Sequence, residues 1–290
     1  MAFVLFDLLL EAYDKLGQAT VSKATGGTLG TLVDSQQAGA YTDADTDDWK
    51  GGGIGIVRDS ALTGMAPEKE FAFIYGFDPS TGTFTFDASM TTAPASGDTY
   101  FFTTSLFPFR NAIEQANFAL RSIGDIPLTD ITTLDVDDEH SEYSIAVGLK
   151  RGIYRVDLQT YTSDANDNQW RELYDWEISP ATAGSAANLI LRDVPYTDDG
   201  SAIKIWYRGP HPTLSVASSP ILETLDPEYV VLKTVIAMLE SYVRRINDAE
   251  SPWNQALADY KNEAYKLELE RGPIRKARHP KVLEIDWDDS

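Results

Sequence analysis

The stretch GDTYFFTTSLFPFRNAIEQANFALRSIG, residues 97–124, changes its hydrophobic period in mid-course. Tyr100, Phe101 and Phe102 follow the turn residues Ser96, Gly97 and Asp98 and read as a short strand. From Pro108 onward the pattern is helical, with Phe109, Ile113, Ala116, Leu120 and Ile123 recurring at three- and four-residue spacing along one face. Pro108 suits a first helical turn, where no N–H is required, and Gly124 suits a terminating residue. Working outward, four helix-patterned segments, 2–16, 107–123, 226–246 and 251–271, are separated by strand-patterned stretches at 18–105 and 128–216.

The first segment carries Leu5, Leu8, Leu9, Ala12 and Leu16 on one face and meets Gly17 where a left-handed cap is wanted. The last two segments carry the strongest start signals. Asp226-Pro227-Glu228 combines a capping carboxylate, a pre-set first turn and a negative charge at the positive end of the dipole, and Ser251-Pro252 repeats the device. Val230, Leu232, Val235, Ile236, Leu239, Val243 and Ile246 make one apolar stripe, and Trp253, Leu257, Tyr260, Ala264 and Leu267 make another. A short Asn247–Glu250 loop joins them as an antiparallel hairpin, whose wide stripes need further helical partners.

The strand-patterned stretches alternate with a period of two. Ile54, Ile56 and Val57, then Phe71 to Tyr75, then Phe84 and Phe86 after the Asp78–Gly82 turn, predict a small sandwich or barrel. In the second stretch Tyr143 to Val147, Ile153 to Thr160, Leu189 to Leu191 and Ile203 to Tyr207 predict six to eight strands of a sandwich. The expected fold class is therefore α+β. A four-helix bundle is assembled from both termini and a central helix (1–17, 106–127 and 217–272) and carries two β-rich insertions (18–105 and 128–216). An extended C-terminal arm covers 273–290.

A chain of 290 residues with 43% hydrophobic content can bury sizeable cores. Its 24 Lys and Arg against 45 Asp and Glu give a net charge of −21, which argues against affinity for nucleic-acid phosphates, since that needs clustered cations. Acidity of this degree serves solubility, or a surface that DNA slides past. Absent cysteines remove disulfides and thiolate chemistry and leave the redox compartment unread. Phe3 to Phe6 imitate an export signal, but no cationic segment precedes them and Asp7 and Glu11 interrupt the run. No eighteen-residue apolar run is present, so no membrane span is expected.

Motifs for chemistry are weak throughout. Asp43-x-Asp45-x-Asp47 opens like a calcium loop, but Asp48 stands where glycine is needed and Ile54 where glutamate is needed. Asp164 to Asn168 fails similarly, with Gln169 at the glycine position, although Asp175 could still chelate; both read as solvated turns, with a bound cation as the alternative. His140, His211 and His279 share no ligand spacing. Gly51 to Gly55 opens a strand and not a helix, which argues against phosphate binding. Trp170, Trp176 and Trp206 could stack on sugar rings, though buried sandwich tryptophans are commoner. No catalytic residue, cofactor site or metal site is assigned, and the chain is expected not to be an enzyme.

Past Gly272-Pro273 the composition breaks. Arg271, Arg275, Lys276, Arg278 and Lys281 come without an acid between them, and then Glu284, Asp286, Asp288 and Asp289 surround Ile285 and Trp287. The pattern reads either as a frayed terminus or as an arm whose cations meet an acidic neighbour and whose Ile285 and Trp287 anchor in a pocket.

Several runs resemble virion proteins of the tailed-bacteriophage neck: LFDLLLEAYDKLG at the start, GDTYFFTTSLFPFRNAIEQANFALRSIGDIP, GLKRGIYRVDLQTY followed by NDNQWRELYDWEI, and IKIWYRGPHPTLS leading to LDPEYVVLKTVIAMLESYVRR. The plan is similar to head-to-tail connector or adaptor proteins, although two β-regions exceed a minimal adaptor. The resemblance implies a structural virion protein made in the host cytoplasm. It would form a homo-oligomeric ring, twelvefold like the portal protein it meets, and contact a tail or further neck protein. DNA would pass through without specific binding. Ring closure requires two different complementary surfaces on each subunit. The resemblance further implies channel-facing acids at Asp259, Glu263, Glu268 and Glu270, and a portal or subunit interface at Arg275, Lys276, Arg278, Ile285 and Trp287. Two other function classes stay open: a tail or baseplate protein whose second sandwich binds host carbohydrate, and a monomeric or dimeric binding module of a cellular host.

Overall fold

Tyr100, Phe101 and Phe102 are all fully buried, because the strand that holds them, β7 (Thr99–Thr103), has protein on both faces. A computed structural model describes residues 2–39, 49–131, 142–145, 152–160, 169–179, 187–192, 202–248 and 250–272. The chain divides into two compact units, Met1–Ser122 with Thr213–Ser290, and Ile123–Pro212.

In the first unit β7 lies within a seven-stranded antiparallel sheet. The order is β1 (Ala19–Lys23), β7, β4 (Gly53–Arg58), β5 (Phe71–Asp78), β6 (Thr83–Phe86), β3 (Thr31–Val33) and β2 (Gly26–Thr28). Strands β6 and β7 stand three places apart, which in a flat sheet would separate them by about 14 Å. The Phe84 and Phe102 rings are nevertheless 5.1 Å apart, so the sheet curls onto itself. Trp49 sits inside the curl, 5.0 Å from Phe102 and 6.0 Å from Phe77. The phenolic OH of Tyr100 donates to Asp34 at 2.8 Å, which satisfies a fully buried carboxylate.

Phe101 points out of the curl and meets the helices. Its ring is edge-on to Phe6 of α1 (Leu5–Lys15) at 5.6 Å and 6.4 Å from Phe109 of α2 (Phe109–Ser122). Glycines make this approach possible: a Cβ added to Gly53 would collide with the Phe109 ring, and one on Gly55 with Phe101 and Phe6. Leu5, Leu8, Leu9 and Ala12 are buried as their spacing predicts, and Gly17 ends the helix at φ 64°. In α3 (Pro227–Ile246) every residue from Tyr229 to Leu239 except Lys233 is buried, since α1, α2 and α4 (Pro252–Glu270) all pack on it. The expected caps form: Asp226 accepts from the backbone N–H of Glu228 and Tyr229 at 3.0 and 3.3 Å, and Ser251 from Trp253 at 3.4 Å.

This architecture corrects the expected fold class. Among the described residues the molecule is not a four-helix bundle bearing two β-insertions but mostly β-sheet, three antiparallel sheets with four helices, with strand (32%) exceeding helix (29%). The physical reason lies at Phe101 and Phe109. The outer face of the seven-stranded sheet is itself apolar, so the stripes of α1 and α2 close on it as well as on α3, and the first strand-rich stretch shares one unit with the helices. The expected extended arm, 273–290, lies outside the described residues.

The second unit pairs two antiparallel sheets. One is ordered β11 (Gln169–Leu173), β10 (Arg155–Thr160), β14 (Ile203–Gly209) and β8 (Ile126–Asp130), the other β12 (Trp176–Ile178), β13 (Ala187–Leu191) and β9 (Glu142–Ile145). Val156, Leu158, Ile203 and Ile205 from the first sheet share a core with Tyr143, Ile145, Leu189 and Leu191 from the second.

Candidate functional site

Small side chains on three helices leave a furrow on the first unit. Ala119 of α2, Ala237 of α3 and Ala264 of α4 floor a groove of about 390 Å³, with Phe118, Ile236 and Tyr265 as walls. Alanine fixes no width of its own, so the helices approach at the floor while the longer residues beside it stand apart. A second hollow of about 720 Å³ between α2 and α3 shares Phe118, Ala237 and Glu240 with the first and extends past Arg121, Arg244 and Arg245. Phe118 is 57% exposed and Tyr265 62% exposed, so two aromatic rings border an open apolar trough.

The rim is positive on balance. Lys233 and Lys261 line the first hollow, and Arg121, Arg244 and Arg245 the second, against the carboxylates of Glu114, Glu240 and Glu268. Glu240 is shared between Lys261 at 2.7 Å and Arg244 at 3.5 Å. Arg245 donates to the Leu106 carbonyl at 2.9 Å. In a chain of net charge −21, a patch with more cations than acids is a local reversal of sign.

The four acids expected on α4 are split. At about 100° per residue, Asp259, Glu263 and Glu270 fall within roughly 40° of one another and Glu268 on the opposite side. Glu263 faces Lys15 of α1 at 3.7 Å, and Asp259 accepts from Gln255 at 2.9 Å. Glu268 instead lines the groove and accepts from the Tyr229 hydroxyl at 3.2 Å. Burial, reinforced by the Glu268 carboxylate, pushes that hydroxyl well above its usual range. Arg271 pairs with Glu228 at 3.0 Å and ties the end of α4 to the start of α3. Arg275, Lys276, Arg278, Ile285 and Trp287 lie outside the described residues, as do Asp43 to Asp48, Asp164 to Asn168, His140 and His279.

Other sequence candidates resolve into packing. Gly51 to Gly55 admits Phe109, Phe101 and the Thr103 backbone to close contact. His211 is buried, and its Nδ1 donates to the Pro212 carbonyl at 2.7 Å; burial lowers its pKa. Among the described residues no group of three or more His, Asp or Glu side chains gathers as a metal site would require. The tryptophans divide between the two sheets of the second unit: Trp176 packs on the shared core, while Lys204 Nζ lies 3.8 Å from the Trp170 ring centre and Arg155 5.5 Å from that of Trp206. Asp157, 1% exposed, accepts from Arg155 Nε at 2.6 Å and Trp206 Nε1 at 2.7 Å.

The groove lies off the apolar stripe that spacing marks on α2. Its one available signal was Phe118, an aromatic off the apolar face set by Phe109, Ala116 and Leu120. The floor needs Ala119, Ala237 and Ala264 to meet, and no local pattern reports that. No known protein family matches the chain, and no curated protein matches it either.

Proposed function

We propose that the chain is a structural subunit of a bacteriophage head-to-tail connector, in which copies form a ring beneath the portal and leave a path for DNA. The observation that carries this reading is the aromatic-bordered pair of adjoining hollows over α2, α3 and α4, whose shared rim carries more cations than acids on an otherwise acidic chain. A ring needs one surface that receives and another that is received. The groove serves as the receiving surface, and the residues past Gly272 supply the other, with Arg275, Lys276 and Arg278 available for acidic neighbours on the portal or an adjacent copy. Asp259, Glu263 and Glu270, on one side of α4, are the acids that would keep a DNA backbone mobile by repulsion. The resemblance of the quoted runs to neck proteins supports the same reading.

The carbohydrate alternative draws less support, because sugar stacking needs a bare indole face and Lys204 and Arg155 already stand over Trp170 and Trp206. Incubating the full chain with portal-bearing, tailless heads tests the proposal by electron microscopy. A closed ring of added density at the portal vertex is expected. Binding elsewhere on the particle, or none, would overturn it.

A further inference from the structure

We propose that the groove over α2, α3 and α4 receives the acidic C-terminal segment of a second copy, residues 283–290, with Trp287 as its anchor. The inference rests on the ring reading and specifies its subunit contact.

Chemical complementarity is the first support. The segment LEIDWDDS alternates Leu283, Ile285 and Trp287 with Glu284, Asp286 and Asp288, and adds Asp289. The two adjoining hollows offer an apolar trough for the first set and, for the second, Lys233, Lys261, Arg121, Arg244 and Arg245 against Glu114, Glu240 and Glu268, with Lys261 and Arg244 already sharing Glu240. Charged pairs at such a rim set the register and steer encounter, while a desolvated indole supplies most of the affinity. The walls suit an indole: Phe118 and Tyr265 present rings on either side of an alanine floor, and about 390 Å³ exceeds what one such side chain fills.

Reach is the second support. Arg271 is held at the start of α3 by Glu228, which fixes the point from which reach is measured. Trp287 is sixteen residues past Arg271, a distance that the chain spans at most to about 55 Å. That length carries the anchor to an adjacent copy. A contact of tail on groove is heterologous, which is the kind that closes rings.

The chain has no cysteine, so introduced thiols are unique. Full-length Ser122→Cys protein, with its thiol in the groove, is mixed with a differently tagged full-length Ser290→Cys protein and treated with a short bis-maleimide. The control replaces Ser122→Cys by Tyr75→Cys, at a 61% exposed strand position away from the groove. Cross-linked heterodimer is expected about tenfold or more above the control, and Phe118→Glu in the groove chain or Trp287→Ala in the tail chain should each return it to the control level. Phe118 is exposed and no described core residue lies past Leu267, so neither change threatens the described fold.

A yield at the control level, or one indifferent to both substitutions, overturns the proposal. So does a Ser122→Cys/Ser290→Cys double variant that closes only on itself, which would make the occupant the chain's own tail. Density at the portal vertex together with a failed cross-link would leave the ring reading standing and this contact refuted.

Discussion

Asn117 clamps Leu214 in both directions: its Oδ1 accepts the Leu214 N–H at 2.7 Å and its Nδ2 donates to the Leu214 carbonyl at 2.9 Å. The pair is buried and pins the segment that leads into α3 against α2. Asn117→Leu would strand a donor and an acceptor, each at about 1–3 kcal/mol. Urea unfolding should show a loss of about 2–4 kcal/mol. Equal stability of Asn117→Leu and the parent would show that the clamp contributes nothing.

Gly53 faces Phe109 too closely for a side chain. Gly53→Ala should cost about 1–3 kcal/mol through overpacking. Combined with Phe109→Leu, the loss should be smaller than the sum of the two single changes, because they share one contact. Strict additivity in a double-mutant cycle would contradict the proposed collision.

Asp157 holds Arg155 and the Trp206 indole N–H on the outer face of the β10–β14 pair. Asp157→Ala removes the acceptor of the Trp206 indole N–H and of Arg155, which keeps Glu172 at 3.9 Å, a loss of about 1–3 kcal/mol. Hydrogen exchange should localise the weakening to β10 and β14, with the first unit unchanged.

His211 has its pKa lowered from the ordinary 6.5 by burial, opposed in part by the Pro212 carbonyl. Below pH 6.5 the unfolded chain takes up a proton that the folded one resists, so the unfolded state binds more protons and stability falls as pH falls. His211→Gln should flatten the dependence of unfolding free energy on pH just below 6.5. An unaltered slope would remove His211 as its source.

Deleting residues 273–290 leaves every described helix and strand in place. The melting temperature should stay essentially where it is, while attachment to portal-bearing heads is lost. Undiminished attachment in a pull-down with such heads would dismiss the arm.

Local chemistry made the helices legible. Asp226-Pro227, Ser251-Pro252 and Gly17 each act within a few residues, and the helix ends fall within two or three positions of the expected ones. What sequence spacing left open was which apolar faces meet. Phe101 and Phe102 are neighbours in one strand yet serve opposite layers, and Phe84 reaches Phe102 only because the sheet curls. Such pairings depend on contacts tens of residues apart, so helical spacing alone points the helices at one another although part of their apolar surface belongs to the sheet. The groove was hidden for the same reason: Phe118 looks like a stray aromatic until Ala237 and Ala264 are beneath it.

The first unit is built from two lengths of chain with the second unit between them. During synthesis Phe6, Phe101 and Phe109 leave the ribosome long before α3 does. About 105 residues intervene between Ser122 and Pro227, which at ~5–20 residues per second is a delay of roughly five to twenty seconds. Throughout it the apolar faces of α1 and α2 that will pack on α3 are greasy and uncovered, so nascent chains invite chaperone capture or mutual clumping until the central helix arrives.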